Sequence, residues 1–266
     1  MTLRVYVIAY LVFLYAPIAL LPLFAFNDST VIAFPLDAFT TKWFAELWTV
    51  EALHAALWNS LVIAVISTIL ATLLGLAAAR AAAKYRFPGK QGIMGMIMLP
   101  LILPEIIVAV SLLIVVIQVL GWPLSRWTIV AAHTLICIPF SIAILNGAFR
   151  NLDASLEEAA VDLGESRWSA FRLVTVPLIA PGIVASLLVG FTISLDEFII
   201  AFFLSGAQPT LPVYIWGLLR FPARLPVVMA LGTLLVLASI LLLAFAEIMR
   251  RRGVARAGLR DKGGFL

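Results

Sequence analysis

The sequence predicts an all-α, polytopic membrane protein with six transmembrane helices, and three observations carry that expectation. Of 266 residues, 64% are hydrophobic and 12% charged, with a mean hydropathy of +1.12. A soluble domain carries about a quarter charged residues. Apolar runs of about 20 residues, the length that crosses a bilayer as a helix, recur six times. Lysine and arginine gather in alternate loops, as they do when one side of the membrane retains them. The whole chain, 1–266, is read as one transmembrane domain.

The first span, 5–26, follows Arg4 and contains Pro17 and Pro22. It is too long for a signal-peptide core, and no small-x-small cleavage site precedes Asn27, so it is read as uncleaved. Further spans are expected at 56–82, 92–120, 127–149, 178–205 and 225–249, joined by loops at 27–55, 80–90, 121–126, 150–177 and 206–224. Arg4, Arg80, Lys84, Arg86, Lys90, Arg150, Arg167, Arg172, Arg250, Arg251, Arg252, Arg256, Arg260 and Lys262 fall on one side, leaving Lys42, Arg126, Arg220 and Arg224 on the other. Both termini are therefore expected in the cytoplasm. Topology accounts for the net charge of +4, so nucleic acid is not an expected partner. The single cysteine, Cys137, excludes an intramolecular disulfide and a multi-cysteine metal site. It reads as a small core residue. No metal site, cofactor or catalytic residue is expected, and without a Walker-type glycine loop the chain holds no nucleotide of its own.

The loop "NLDASLEEAAVDLGESRWSAFRLVTVPLIAPG", residues 151–182, is unusually structured for a charged connection. Asp153 and Ser155 are N-cap types, and Ser155 with Glu158 spells a capping box. A helix is expected over Leu156–Leu163, with acids in its first turn and Gly164 as a left-handed stop. A second helix should run from after Ser166 toward Val176, before Pro177 and Pro181 open the next span. Ala159 and Ala160 permit close approach by another surface, and Leu156, Leu163, Trp168 and Phe171 give the pair an apolar side.

The residues Glu158-Ala159-Ala160, Gly164 and Val174-Thr175-Val176-Pro177 match the spacing Glu-Ala-Ala, three residues, Gly, nine residues, Ile-x-Leu-Pro. In this the chain resembles the ATP-binding-cassette importer permeases of MetI-like fold, with Val in place of both Ile and Leu. "FLYAPI", "FTTKWF", "KYRFPGK", "LPEII", "EEAAVDLG" and "SLDEFIIAFFLSG" are similar, in the same order, to the polyamine (spermidine/putrescine) branch of that family. The resemblance implies an inner-membrane transport subunit, not an enzyme. It implies that Glu158, Ala159, Ala160 and Gly164 dock on a dimer of cytoplasmic ATP-binding subunits. It also implies a second homologous permease chain, a periplasmic solute-binding protein and a polyamine as solute. Opines, aminobutyrate and phosphonates are the other solute classes of the wider branch.

Three acids interrupt apolar spans. A carboxylate facing lipid is costly, so Glu105, Asp196 and Glu197 are expected to face a bundle interior or a wet cavity and to form a cation pathway. Asp196 and Glu197 lie about eight residues, roughly 12 Å, from the outer end of span five. As neighbours on one helix they would point about 100° apart. Glu105 follows Pro100 and Pro104 on a broken helix, and counting along the span sets it roughly 10 Å deeper. The polyamine branch has paired acids at the position of Asp196 and Glu197, more familiarly Asp-Asp.

His133 reads as a hydrogen-bonded packing residue. Glu247 reads as an ion-pair partner of the last arginine cluster, and Trp43, Phe44 and Trp48 as interfacial aromatics. A secondary transporter or channel would explain the acids but not the loop. A hydrolase finds no nucleophile–base pair, because nothing in the sequence brings Ser194 to His133.

Overall fold

The computed structural model describes residues 2–153 and 155–256, all helices and connections. Among the described residues there is no β-strand, only an isolated bridge between Asn27 and Phe39. Side chains are described as far as Leu241 and at Ala244, so Glu247, Arg250, Arg251, Arg252 and Arg256 lie outside the described side chains. Arg260 and Lys262 lie outside the described residues. Among the described residues, five helices are long and apolar enough to cross a membrane: Leu3–Ala25, Glu51–Lys84, Arg126–Arg150, Arg167–Asp196 and Pro222–Leu241. The sixth expected span is a pair, Lys90–Leu101 and Glu105–Val119, bent by 101° at its break.

The chain packs as two compact units. The first, Met1–Glu51 with Ile215–Leu266, holds α1 (Thr2–Ala25), α2 (Lys42–Leu47) and α12 (Leu225–Arg256). Helix α12 packs on both α1 and α2, and Gly232 lets the Leu21 side chain lie against it. The loop after α1 is knotted by one side chain. Asn27 accepts the Asp37 N–H at 2.8 Å through Oδ1, and its carbonyl accepts the Trp43 indole N–H at 2.8 Å. Trp43 is therefore buried, unlike the interfacial position expected of it, and Phe44 packs on Phe26; Trp48 stays exposed. Most large side chains of α1 point outward, as on a helix with lipid or another subunit around it.

The second unit, Ala52–Tyr214, contains α3 (Glu51–Lys84) through the first half of α11 (Leu211–Leu218). Between them come α4 (Lys90–Met98), α5 (Glu105–Ile114), α6 (Arg126–Arg150), α7 (Ser155–Asp162), α8 (Arg167–Ala170), α9 (Val176–Asp196) and α10 (Ile199–Leu204). Its core joins Ile63, Val108, Ala109, Ile129, Ile200 and Leu204 from α3, α5, α6 and α10. One face of α3 is small and polar: Ser60, Ala64, Ser67, Thr68, Ala71, Thr72, Gly75 and Ala79 are buried at helical spacing. Small residues let helices approach closely, and hydroxyls then bond across the seam. Thr68 donates to the Leu187 carbonyl at 3.0 Å, Thr72 meets Ser186 at 3.1 Å, and Ser67 donates to the Val130 carbonyl at 3.2 Å.

Several elements differ from expectation. Two proline rings do not separate the second loop helix from span five; helix runs unbroken over Arg167–Asp196, 30 residues. The segment Phe171–Thr175 adopts the wider π-helical turn, so Pro177, which has no N–H to give, falls in the opening turn of α9. Span five ends early, at Asp196, and resumes as α10. Ser155 is the first residue of α7, and the cap is Asp153, whose Oδ1 accepts the Ser155 N–H at 3.0 Å. The loops at 27–55 and 206–224 carry the short helices α2 and α11.

A Cβ built on Gly190 would lie 2.3 Å from Thr68 Oγ1, whereas one on Gly147 meets nothing within 4 Å. Gly190→Ala is therefore expected to destabilise the chain by about 1–3 kcal/mol through overpacking. Gly147→Ala should leave stability unchanged or slightly higher. Thermal unfolding of both variants in detergent checks the difference.

Candidate functional site: an acid-lined cavity and a docking loop

Glu105, Asp196 and Glu197 line a single cavity of about 730 Å³. Its other walls include Pro100, Pro104, Ile136, Phe140 and Phe198, with no Lys or Arg among them. Each acid arrives at a helix end. Glu105 opens α5 directly after Pro104, which is extended at ψ 130 and has no N–H to bond backward. Asp196 closes α9, where the unbonded carbonyls add partial negative charge to that of the side chain. Both side chains are exposed and make no ion pair or hydrogen bond among the described residues. The depth difference obtained by counting along span three does not survive, because that count assumes one axis and the pair turns by 101°.

Glu197 differs from its neighbour. It sits in the break between α9 and α10 with extended backbone, and is 8% exposed. Its two oxygens accept the N–H groups of Ile200 and Ala201 at 2.9 and 3.0 Å, capping α10. His133 of α6, fully buried, brings Nε2 within 3.3 Å of Glu197 Oε2. That is ion-pair range, but off the line of a directed hydrogen bond. The other ring nitrogen, Nδ1, lies 2.8 Å from Ser194 Oγ. Glu197 and Asp196 are thus separated by the break itself, not by a 100° step around one helix.

The structure joins Ser194 and His133, which the sequence left apart. This does not make a hydrolase site. Ser194 is 4% exposed and absent from the cavity wall, so a molecule in the cavity meets Glu197 and not the hydroxyl. His133 was legible only as packing. Helical spacing could not have found the group, because Glu197 lies in the break after α9 and not on the helix face that carries Ser194.

At the other end of α9, helix α7 stops at Gly164 (φ +96). The Glu165 N–H donates to the Ala160 carbonyl at 3.1 Å and the Gly164 N–H to Val161 at 2.9 Å, a Schellman ending. Ser166 Oγ then accepts the Ser169 N–H at 3.1 Å and starts α8. Glu158 and Ala159 are exposed and Ala160 is half-buried, beside the exposed apolar side chains of Leu156, Leu163 and Trp168. The first acid of the pair, Glu157, faces inward. One of its oxygens takes Arg80 Nη2 at 3.2 Å and the Lys84 ammonium; the other accepts from Thr175 Oγ1 at 3.1 Å. Burial pushes the Glu157 carboxyl up, but Lys84, Arg80 and Thr175 together outweigh it and hold it below its ordinary value of 4.5. The sequence reading passed over Glu157, although Arg80 and Lys84, four apart at the end of span two, form a ready basic pair for it.

The family described as "Binding-protein-dependent transport system inner membrane component" matches residues 71–254. The chain is 36% identical over 259 residues to the putrescine transport system permease protein PotI of Escherichia coli (strain K12), covering 92% of each. It is 33% identical over 240 residues to the spermidine/putrescine transport system permease protein PotC of the same strain, covering 90% of each. Among solved structures it superposes on a chain of a bacterial ABC transporter involved in import of the acidic polysaccharide alginate. The TM-score is 0.72 at 17% identity, with 94% of each chain covered. A second structure, with an alginate pentasaccharide-bound periplasmic protein, gives 0.73 at 21% identity over 94% of this chain and 93% of that one. At such identities the shared property is the fold.

Because the Glu157 pKa is depressed on folding, its stabilisation is complete above the ordinary carboxylate range and is lost as pH falls through and below it. The melting temperature of the wild type should therefore exceed that of Glu157→Gln at neutral pH. The gap should close as pH is lowered past about 4, which thermal scans across that range measure.

Proposed function

The chain belongs to the binding-protein-dependent transport system inner membrane components, and from that footing we propose that it forms part of the path by which an ATP-driven importer moves a small organic polycation. It is a multi-pass transport subunit of the inner membrane and not an enzyme. The solute we assign is of the putrescine–spermidine class. Two carboxylates without a partner among the described residues, Glu105 and Asp196, on one cavity whose lining has no basic residue carry that assignment. Such a wall attracts ammonium groups through charge-assisted hydrogen bonds. A volume of about 730 Å³ lies within the usual range of small-ligand sites. The fold does not choose the solute, since the structural neighbours serve an acidic polysaccharide; the lining does. The relatives named for putrescine and spermidine agree with it.

In this reading Asp196 and Glu105 receive the two ends of an extended cation. Glu197 adds negative field from behind while holding the break in span five. Both termini and the 150–177 loop lie in the cytoplasm, where Glu158, Ala159, Ala160 and Gly164 dock on a dimer of ATP-binding subunits. A second, homologous permease chain completes the path, and a periplasmic binding protein delivers the solute. Helix runs unbroken over Arg167–Asp196, about 45 Å at helical rise, so displacement of the docking loop is carried to the residue that faces the solute.

Reconstitution with the ATP-binding subunits and binding protein in proteoliposomes tests this. Asp196→Asn removes one charge-assisted contact and should raise the KM for putrescine uptake about tenfold or more. Glu105→Gln should act in the same direction. Gly164→Asp, strained at φ +96, should leave ATP hydrolysis running while uptake falls. Unchanged uptake by Asp196→Asn would remove the cation station. Uptake that survives without any ATP-binding subunit and collapses with the proton gradient would replace the importer with a secondary transporter.

A further inference from the structure

Where α3 meets α8, a groove of about 360 Å³ is walled by Leu73, Leu76, Ala77, Trp168 and Phe171 and bordered by Arg80 and Arg167. We propose that this groove binds an anionic phospholipid of the inner membrane, its phosphate held by Arg80 and Arg167 and one acyl chain lying along Leu73, Leu76 and Ala77.

The arrangement follows from the spacing of α3. Leu73, Leu76, Ala77 and Arg80 fall at i, i+3, i+4 and i+7, on one helix face. Leu73 lies about 10 Å from Arg80 along the axis, inside the apolar span, whereas Arg80 is at its basic end. A water-soluble protein partner can reach Arg167 and Trp168 but not the level of Leu73; a lipid spans both. The side chains facing the groove also have the mixed character of a headgroup boundary. Trp168 is 70% exposed and meets the Phe171 ring at 5.6 Å. Amphipathic rings of this kind settle at the membrane–water boundary.

Charge points to the sign of the ligand. The Arg80 guanidinium lies over Phe171 at 3.7 Å from the ring centre, which fixes its plane. It gives Nη2 to Glu157, and its Nη1 finds no acceptor among the described residues. The Arg167 side chain makes no ion pair or hydrogen bond among them. Arg80 and Arg167 border the trough and no carboxylate lines it, and the Glu157 carboxylate that Arg80 meets is shared with Lys84, which leaves positive charge in excess there. A zwitterionic headgroup offers no net charge to that excess; an anionic one does. The lipid would bridge the end of α3 and the start of the rod that runs to Asp196, and so would bear on the docking loop from the membrane side.

Bromolipid quenching tests the proposal. The assembled transporter is placed in phosphatidylcholine vesicles containing increasing dibrominated phosphatidylglycerol or, in parallel, dibrominated phosphatidylcholine. The difference between wild type and Trp168→Phe isolates the emission of Trp168. That emission should be quenched at a roughly tenfold lower mole fraction of the anionic lipid than of the zwitterionic one. Arg167→Gln, an exposed change outside the Glu157 cluster, should cut the preference severalfold, and Arg80→Lys should weaken it without removing it. Equal quenching by both lipids, or a preference untouched by Arg167→Gln, overturns the proposal. Protection of Trp168 from both lipids also overturns it and gives the groove to a protein subunit.

Discussion

A helix that stops inside a bilayer leaves amide hydrogens that lipid cannot accept, and each one left unmet costs several kcal/mol. At the break in span five, Glu197 accepts two of them, from Ile200 and Ala201. Much of the acid-lined cavity depends on this. The carboxylate lets α9 end at Asp196 and α10 begin at Ile199, which turns the end of α9 toward the cavity. Holding that carboxylate in place takes His133 from a neighbouring helix, and holding His133 involves Ser194. A side chain that looks like a second ligand for a cation is mostly engaged with the backbone, whereas Asp196 has no partner among the described residues.

The two candidate sites of the chain are parts of one element. The 150–177 loop begins with a capped and properly terminated short helix, and its second helix runs on without a break into span five. The π-helical turn before Pro177 is what makes this possible. At the loop end, Glu157 ties the short helix to α3 through Arg80 and Lys84, and to the rod through Thr175. A force on the exposed Glu158–Ala159 surface is therefore shared at once by three helices.

Much of this was legible in the sequence, for reasons that differ by element. Composition and six apolar runs are enough for the spans, since bilayer thickness sets their length. Gly164 was legible because only a residue tolerant of positive φ ends a helix that way. The broken third span was legible from Pro100 and Pro104, but its 101° turn was not, because a missing N–H tells where a helix stops and not where the chain goes next. Proline also misled: Pro177 and Pro181 looked like a boundary, and a change of helical pitch absorbed the first of them. The acids were found as a class by their cost in lipid. Their division of labour was not, because the partners of Glu197 lie on another helix or in backbone that only a break exposes. Glu157 was overlooked beside Glu158 for the same reason, as its partners are more than seventy residues away.

The close seams of the second unit bear on how such a subunit moves. Gly75 lies against Ser141, Gly182 against Ala148, and Gly190 against Thr68, each with no clearance for one added carbon. Hydroxyl bonds pin the α3–α9 seam at Thr68 and Thr72. Helices interlocked this tightly resist sliding, so α3, α6 and α9 travel as a single shutter blade. The slack needed to open one side of a passage and shut the other must then be found at edges where this blade meets something else.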